Sequence, residues 1–359
     1  MIRSTISRRR LLAAGSVTAA ALAAPQVVRA SPTLAWRMVT SWPKNLPGPG
    51  VTAERLARRI NTLSGGRIAI SVHAAGELMP ALQVFDAVAE GTAEMAHTAS
   101  FFWQGKMVAA PFFTAFPFGL TAGEHAAWIY HGGGQSLWDD LYGTAGVKPF
   151  MAGNTGMSMG GWYKREIASL DDFAGRKLRM PGLGGEIARR LGATPISVPP
   201  GDILPALQAG TIDGTEFLGP WSDLASGFFK AAKFYYWPGF HEPNGTGEAL
   251  ISLKAWRSLP QDLQTVVENA CAAEAAFALA ESEWHNARAL AALVQDHGVE
   301  LRAFPDDLLR TARAAALDLL ADMSTAEDIT GKIARAYRAE LDLARRWAGV
   351  STGALLQAR

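Results

Sequence analysis

The sequence predicts an α/β fold in two lobes, and three observations support this prediction. Short apolar runs that fit strands alternate with amphipathic runs of helical spacing, as at 177–180 and 186–191, which is the rhythm of parallel βαβ units. One such piece occurs twice, and the last third of the chain is mostly helical. With 359 residues, of which 49% are hydrophobic, the chain is long enough to bury the cores of two domains.

The first half alternates strands and helices around the turn GNTG at 153–156. Its apolar periodicity and glycine stops predict helices at 52–63, 79–91 and 123–131, and strands at 34–41, 68–72, just after 91, 147–152 and 157–163. The two strands that flank the turn are predicted to cross between the lobes.

The second half ends in long helices. Its pattern predicts strands at 177–180, 194–198, 231–237, 248–253 and 299–304, an apolar run at 212–218, and helices at 186–191, 202–208, 260–296 and from 306 and 326. The last helix, to about residue 348, is amphipathic and follows the final strand. It therefore lies either across the fold or against a second subunit.

The repeated piece reads MPALQVFDAVAEGTAEMAHT at 79–98 and ILPALQAGTIDGTEF at 203–217. Both copies contain PALQ, then a Gly-Thr pair, an acidic residue and an apolar run. We interpret them as the same βαβ piece, used once in each lobe. Two ordinary amphipathic helices that end in glycine are the alternative.

The first thirty residues have the composition of an export signal. Arg3, Arg8, Arg9 and Arg10 precede an apolar stretch at 11–24, and small residues follow where cleavage would occur. The run SRRRLL is similar to a twin-arginine signal, which implies export of the folded protein across the inner membrane. An uncleaved anchor is the alternative, although the stretch is shorter than the roughly 20 residues of a spanning helix.

Without that segment the chain is mildly acidic. Five of the 34 basic residues and none of the 33 acidic ones precede Ser31, which leaves 29 against 33. No basic tract remains for nucleic acid, and no second long apolar run suggests a membrane span. The single cysteine, Cys271, excludes an intrachain disulfide, and its Ala-rich helical surroundings favour a buried packing residue over a functional thiol.

Residues 176–221 bring an arginine, a carboxylate and several glycines to the ends of predicted elements. A short strand that ends at a Pro-Gly pair leaves Arg179 at the edge of a sheet. Gly184 and Gly185 then open the helical run 186–191, whose first-turn amides would be free to contact an anion. From the residues alone, an ion pair at the surface is the alternative role for this arginine.

Seven aromatic side chains crowd the segment 101–118, among glycine and proline residues of predicted loops. They form either the wall of a cleft or the core of a packed lobe. They are Phe101, Phe102, Trp103, Phe112, Phe113, Phe116 and Phe118.

With these pieces assembled, the mature chain resembles the substrate-binding subunit of tripartite ATP-independent periplasmic (TRAP) transporters, of the DctP type. The most specific motifs are RKLRMPGLGG at 176–185, PALQAGTIDGTEF at 205–217 and FHEPN at 240–244. GNTG, GPW and FHEP are similar to the branch that takes 2-oxo and 2-hydroxy monocarboxylates. The resemblance implies a two-lobed periplasmic binding protein with crossing strands and long C-terminal helices, which delivers its ligand to a membrane permease and is not an enzyme.

The resemblance also implies limits for the lobes. After a signal peptide at 1–30, lobe I would comprise 31–153 with about 241–283, and lobe II 154–240 with about 284–324. Residues 325–359 would form the C-terminal helix and tail, through which a homodimer would form.

The resemblance implies a substrate site around Arg179. This residue matches the family's carboxylate-binding arginine, and a planar guanidinium holds a carboxylate through two parallel hydrogen bonds that lysine cannot reproduce. Asn154, in the matching turn, would bond a second substrate oxygen. Phe101 occupies an aromatic pocket position without a hydroxyl, which implies a more apolar substrate tail, and Trp221 of GPW is also placed in this site.

The resemblance further implies a metal ion that bridges substrate and protein. Glu216, the backbone carbonyl of Phe217 and Glu242 fall where its ligands should be. Carboxylate and carbonyl oxygens are hard donors, which suit sodium or calcium rather than zinc. Taken alone, the two glutamates would be solvated surface charges. Where the branch has a glutamine, this chain has Ser158, so the ion would be absent, differently coordinated or completed by water.

A serine hydrolase is the competing interpretation. Residues 156–160 spell GxSxG around Ser158, 131–134 spell HGGG, and Asp213 and His241 follow in triad order. However, a nucleophile elbow requires a helix directly after the serine, and the chain continues there as GWYKRE. The two motifs are also only about two dozen residues apart, too few for the intervening sheet and helices.

A binding protein that serves a sensor kinase rather than a permease is a third interpretation. It would bind the same ligand, so the sequence does not separate the two roles.

Overall fold

The structure, a computed structural model, describes residues 33–359. The predicted signal peptide and its twin-arginine motif lie outside the described residues. From Leu34 onward the chain forms one compact unit. Its helices and strands alternate through the first two thirds, and helices dominate the last third, as the sequence predicts.

Eleven strands form in the described part of the chain. They are β1 (Leu34–Thr40), β2 (Ile68–His73), β3 (Met95–Thr98), β4 (Val147–Asn154), β5 (Gly161–Tyr163), β6 (Lys177–Arg179), β7 (Thr194–Ile196), β8 (Gly214–Thr215), β9 (Phe234–Trp237), β10 (Thr246–Ser252) and β11 (Glu300–Ala303).

Thirteen α-helices accompany these strands between residues 33 and 359. They are α1 (Pro49–Leu63), α2 (Val84–Ala89), α3 (Ala122–Tyr130), α4 (Gly134–Gly143), α5 (Leu170–Phe173), α6 (Gly182–Arg190), α7 (Ile203–Ala209), α8 (Pro220–Ser226), α9 (Leu253–Ser258), α10 (Gln261–Gln295), α11 (Asp306–Ser324), α12 (Ile329–Val350) and α13 (Thr352–Ala358).

The strands form two mixed sheets of related topology. The first has the order β2-β1-β3-β10-β4 and the second the order β11-β9-β5-β8-β6-β7. In each sheet three strands are parallel, β2-β1-β3 and β7-β6-β8, and the next strand, β10 or β5, runs antiparallel to them. The predicted parallel βαβ arrangement therefore accounts for these three strands of each sheet.

The chain passes between the sheets three times. It leaves the first sheet after β4 and enters the second at β5, it returns from β9 to β10, and it passes through α9 and α10 to β11 of the second sheet. Each sheet thus receives its antiparallel inner strand from the other half of the fold. The first two connections, 155–160 and 238–245, are called the crossing segments. The chain crosses at the GNTG turn as expected, but the two flanking strands each belong to one sheet, and the connection between them crosses rather than the strands.

The repeat is real, but the alignment on PALQ is wrong. Helix α2 with β3 and helix α7 with β8 are equivalent by topology. The first PALQ is a 3-10 turn before α2, at Ala81–Gln83, whereas the second lies inside α7. The equivalent glycines are Gly91 and Gly210, both with positive φ, and each ends its helix. Structural equivalence therefore follows these helix ends rather than the shared letters.

Helix α6 begins four residues earlier than predicted, because Gly184 and Gly185 are packing residues rather than a helix start. A Cβ atom on Gly185 would lie 2.3 Å from the carbonyl oxygen of Met180, and one on Gly184 would lie 2.9 Å from the Cβ of His241. The two glycines let the helix approach its preceding strand and a crossing segment, and the amide of Gly185 already donates to the carbonyl of Pro181 at 3.4 Å.

Five helices, α4, α5, α8, α9 and α13, were not predicted. Helix α8 carried clear signals, since Pro220 stands at its first position and Gly227, with φ of 72°, ends it. Its seven residues are too few for an apolar periodicity to be recognised.

The two faces of each sheet pack against different cores. In the first sheet, Met38 and Ile251 face one cluster, while Val39 and Leu250 face another. This alternation is the period of two that a strand imposes. Cys271 is buried in the first of these clusters beside Trp256, which confirms its predicted packing role.

Helix α10 packs against both halves of the fold. It contacts β4 of the first sheet and helix α8, which follows strand β8 of the second sheet. At 35 residues it is roughly 50 Å long. Ser282 donates a hydrogen bond to the carbonyl of Asn154 at 3.2 Å, and Asn286 donates one to the carbonyl of Thr155 at 3.3 Å. The helix therefore fixes the start of the first crossing segment.

None of the helices between residues 33 and 359 combines the length and the hydropathy that a bilayer span requires.

Glu248 of β10 is a fully buried carboxyl in the core of the first sheet. The indole nitrogen of Trp103 donates to its Oε1 at 2.6 Å, and its Oε2 has no partner among the described side chains and backbone. Burial raises the pKa of this carboxyl to about 8. It is therefore protonated at neutral pH.

We expect Glu248→Gln to flatten the pH dependence of stability. The unfolded carboxyl loses its proton near its ordinary pKa of 4.5, whereas the folded one keeps it to about 8, so the free energy of unfolding of the wild type falls as pH rises between these values. Glutamine removes this contribution, worth on the order of a few kcal/mol at pH 8. Chemical unfolding from pH 5 to pH 8 measures it, and parallel curves for both proteins would contradict it.

Candidate ligand and cation site

The crossing segments hydrogen-bond to one another and carry several polar side chains. The amide of Thr155 donates to the carbonyl of Gly245 at 3.0 Å, and the amide of Ser158 donates to the carbonyl of Glu242 at 3.1 Å. This pairing holds Ser158, His241 and Glu242 in a narrow region between the two sheets.

A partly open cavity lies beside these segments, with walls from both halves of the fold. Its surface is mostly apolar, although seven of its lining residues have polar side chains. It is lined by Trp42, Pro49, Thr52, His97, Ala99, Phe101, Thr114, Gly153, Asn154, Thr155, Leu218, Glu242, Gly245, Thr246 and Gly247.

Most polar groups of the lining are already hydrogen-bonded. The indole of Trp42 donates to His97 Nδ1 at 2.9 Å, so the opposite nitrogen of His97 carries the proton and donates to the carbonyl of Ala152. Burial lowers the pKa of His97 to about 4, so the ring is neutral. The side-chain amide of Asn154 donates to Asn244 and Thr246. The cavity therefore offers few free donors.

A buried charged cluster adjoins the cavity. Arg179 is 2% exposed and donates from Nη1 to Glu216 Oε1 at 2.5 Å and to the Glu216 carbonyl at 3.1 Å. The other oxygen of Glu216 lies 3.0 Å from His241 Nε2, which in turn lies 4.0 Å from Glu242 Oε2. Glu242 lines the cavity and thus joins it to the cluster.

The fold explains why this arginine and Glu216 meet. Arg179 ends β6 and pairs in register with Thr215 of the parallel neighbour β8, and Glu216 follows directly. Parallel strands end at the same edge of a sheet, where ligands of open α/β sheets bind. Phe217 comes next, and its ring lies 5.7 Å from the Arg179 guanidinium.

Several buried polar atoms of the cluster have no hydrogen-bond partner in the described chain. They are Ser158 Oγ, His241 Nδ1 and Glu242 Oε1. Burial and the nearby Glu216 raise the pKa of Glu242 well above its ordinary value. Orphaned buried acceptors are rare and costly in folded proteins, so these atoms call for a ligand or an ion.

The donor set fits a cation. One ligand atom each from Glu216, His241 and Glu242 lie within 4.8 Å of one another. The carbonyl of Phe217 is adjacent and accepts no hydrogen bond among the described residues. Carboxylate and carbonyl oxygens prefer hard cations such as sodium and calcium. Glu216, Glu242 and the Phe217 carbonyl would hold such an ion, which would screen the two carboxylates and attract an anionic ligand.

Asp223 of α8 lies fully buried close to this cluster. Its carboxylate accepts hydrogen bonds from the amide of Leu218 at 3.2 Å, the indole of Trp162 at 2.9 Å and the hydroxyl of Tyr235 at 2.7 Å. Burial raises its pKa to about 7. Asp223 thus ties the segment that carries Glu216 and Phe217 to strands β5 and β9.

The structure brings together all but one of the residues predicted for the site. Phe101 and Asn154 line the cavity, as does Glu242. Arg179, Ser158, Glu216 and Phe217 are buried in or beside the cluster; they are not on the surface. The exception is Trp221, whose indole stacks on His285 of α10 with ring centroids 4.3 Å apart and is not part of the lining.

Sequence reasoning missed His241 and Asp223 as neighbours of the cation site, and Trp42 and His97 as walls of the cavity. His241 stood beside Glu242 in FHEPN and was considered only as a triad member. Trp42 follows β1 and His97 is the third of the four residues of β3, so their place at the ends of parallel strands was the signal that would have identified them.

The geometry of a serine hydrolase is not present in the described chain. Ser158 precedes strand β5 and not a helix, whereas a nucleophile elbow is a strand-to-helix turn. Asp213 accepts a hydrogen bond from the amide of Lys177 at 2.8 Å, and His241 pairs with Glu216 instead. The serine hydrolase alternative is not supported.

Curated proteins include a clear relative of this chain. It is 42% identical over 288 residues to the monocarboxylate 2-oxoacid-binding periplasmic protein of Nostoc sp., a match that covers 80% of this chain and 79% of the relative.

Solved structures include close matches to the fold. A TRAP transporter solute-binding protein from Bordetella bronchiseptica, with calcium and picolinate in its active site, is 36% identical with a TM-score of 0.88 and covers 91% of this chain and 97% of its own. A TRAP periplasmic solute-binding protein from Pseudoalteromonas atlantica, with sodium and pyruvate, is 35% identical with a TM-score of 0.88 and covers 91% and 99%.

The model of the family "DctP: Bacterial extracellular solute-binding protein, family 7" matches residues 38–326, which is most of the chain. The chain therefore belongs to the DctP family of bacterial extracellular solute-binding proteins.

Proposed function

We propose that this protein is the periplasmic receptor of a TRAP transporter, which binds a 2-oxo or 2-hydroxy monocarboxylate together with Na⁺ or Ca²⁺ for delivery to a membrane permease. The observation that carries this proposal is the buried cluster of Arg179, Glu216 and Glu242, which opens into the cavity between the two sheets. The relatives that bind pyruvate or picolinate with sodium or calcium support it.

In this proposal Arg179 binds the substrate carboxylate. Its Nη1 is held by Glu216 and its Nε by the carbonyl of Val198, while its Nη2 makes no hydrogen bond within the described chain. Asn154 would exchange one of its present bonds, to Asn244 or Thr246, for a substrate oxygen. Ser158, with its unpaired hydroxyl, would contact the ion through a water, because it is shorter than the glutamine of the branch.

Phe101 is one of the residues that line the cavity. It supplies no hydrogen-bonding group, so a substrate tail that lies there would be apolar.

Contacts across the cleft support closure around the ligand. The hydroxyl of Ser222 in α8 donates to the carbonyl of Pro47, which precedes α1, at 2.9 Å. A Cβ atom on Gly182 would lie 2.7 Å from the Cβ of Phe101. We place the lobe limits at 31–153 with about 241–283 and at 154–240 with about 284–324, so that the crossing segments serve as the hinge.

We infer that the protein reaches the periplasm by the twin-arginine route, because Arg8, Arg9 and Arg10 precede the apolar stretch at 11–24. Export in the folded state suits a chain with one cysteine, which cannot rely on an intrachain disulfide.

We also propose a homodimer through the C-terminal helices. Helices α12 and α13 carry a row of exposed apolar side chains, and isolated monomers rarely expose such a patch. They are Leu343, Trp347, Val350, Leu355 and Leu356.

Binding assays on the cation-stripped mature protein test the proposed receptor. We expect micromolar binding of pyruvate or lactate by calorimetry, stronger with Na⁺ or Ca²⁺ present than without, and no turnover. Malate, a dicarboxylate, serves as the comparison ligand. Hydrolysis of a p-nitrophenyl ester that Ser158→Ala abolishes would contradict the receptor and support an enzyme.

Arg179→Lys should lose most of the affinity for the acid. The substitution keeps one charge but removes the bidentate geometry in a buried site, so the expected loss is on the order of 2 to 5 kcal/mol. Arg189→Lys, which changes an exposed arginine paired with Glu186, is the matched control. Equal affinities in calorimetry for both variants would remove Arg179 from the site.

Trp347→Glu combined with Leu343→Glu should convert a dimer to a monomer, because each adds a charge to the exposed apolar row. Light scattering after size exclusion measures the mass. Leu317→Glu, at an exposed position of α11, is the control and should leave the mass unchanged. A wild-type protein that is already monomeric at micromolar concentration would refute this interface.

A further inference from the structure

The region around the cation site holds more buried acids than bases. Glu216, Glu242 and Asp223 are each at most 4% exposed, and Arg179 is the one buried guanidinium among them. Asp223 has no ion-pair partner in the described chain, since its three hydrogen bonds come from an amide, an indole and a phenol. Above its raised pKa of about 7, this carboxylate therefore has no counter-charge within the described part of the fold.

Asp223 lies one peptide unit away from a candidate ligand of the cation. Its Oδ1 accepts a hydrogen bond from the amide of Leu218 at 3.2 Å, and the other end of that peptide unit is the Phe217 carbonyl. At this separation a buried negative charge interacts with an ion held by that carbonyl, because the surrounding medium has a low dielectric constant.

We propose that Asp223, which is not itself a ligand, makes the cation site selective for a divalent cation of the calcium class over sodium. This inference rests on the proposed function, because it concerns the cation of that site. Asp223 acts through its charge and through the segment that it positions, and it touches neither the ion nor the substrate.

Charge alone accounts for the selectivity. A fixed negative charge attracts a cation with an energy proportional to the charge of that cation, so the third carboxylate favours a divalent ion twice as strongly as a monovalent one. Calcium sites tune their affinity in the same way, by the number of acidic groups around the ion. The anionic substrate would add a further negative charge to the same region.

The position of Asp223 separates this effect from direct coordination. Its Oδ1 accepts from the amide of Leu218, the residue after Phe217, and Oδ2 accepts from Trp162 and Tyr235. Both oxygens are thus occupied by donors, and because N–H and C=O point in opposite directions in a trans peptide, Oδ1 lies on the opposite side of the peptide from the Phe217 carbonyl oxygen. Asparagine keeps the size and one acceptor oxygen but removes the charge, whereas Tyr235→Phe removes one donor and keeps the charge.

The test is a calorimetric titration of the cation-stripped mature protein with CaCl₂ or NaCl alone, at constant ionic strength, without organic acid and at about pH 8.5, where Asp223, with its pKa of about 7, is ionised. We expect the wild type to bind Ca²⁺ at least about tenfold more tightly than Na⁺. Asp223→Asn should weaken Ca²⁺ binding by about tenfold and Na⁺ binding by only about threefold, because the lost attraction scales with the charge of the cation.

Two variants and one further measurement keep the outcome decisive. Glu248→Gln, which changes a buried carboxyl that also accepts from a tryptophan indole, should leave both affinities unchanged. Tyr235→Phe should retain the preference for Ca²⁺. Equal losses for both cations in Asp223→Asn would overturn the role of charge. If that variant does not fold, as judged by circular dichroism, the wild type decides, since equal affinity for Na⁺ and Ca²⁺ refutes the proposal.

Failure of this inference is distinct from failure of the proposed function. A wild type that binds pyruvate but shows no preference between the cations would retain its receptor role and lose only this selectivity. A wild type that binds neither cation and no organic acid would refute both.

Discussion

A buried guanidinium must be neutralised where it lies, and the site is organised around this constraint. Arg179 is 2% exposed and is held by Glu216 across two neighbouring parallel strands, β6 and β8. An uncompensated charge at this depth would cost several kcal/mol. Because Glu216 also faces His241 and through it Glu242, the ion pair that stabilises the arginine also positions the carboxylates that would hold a cation.

The crossing segments extend this arrangement to both halves of the fold. Ser158 and Glu242 lie on different segments, and the amide of one bonds the carbonyl of the other. Polar groups that belong to neither sheet alone therefore meet where the chain exchanges strands. A change in the relative orientation of the sheets would alter the same hydrogen bonds that hold these groups, which links the shape of the protein to the state of its site.

The sequence allowed a good part of the fold and of the site to be predicted. Arg179 at a strand end, and Glu216 and Glu242 in their motifs, are local patterns that a short window contains. The repeat was recognised but aligned incorrectly, since identical letters at Pro80 and Pro205 occur in different backbone conformations. Asp223 and His97 were not predicted as site residues, because their roles depend on contacts between distant segments. Trp221 was predicted in the site but stacks on His285, because its motif does not indicate which face of α8 meets α10.

Helix α10 contains neither proline nor glycine in its 35 residues, and such a helix has no internal site for a sharp kink. It contacts β4 in one half of the fold and α8 in the other. Its residue Asn286 donates a hydrogen bond to the carbonyl of Thr155 and accepts one from the amide of Trp221. Any rotation of one half must therefore slide or release contacts near this asparagine rather than bend the helix. A helix that resists bending and is hydrogen-bonded to both halves at Asn286 would restrict the directions in which one half can rotate, so the protein would open along a defined path.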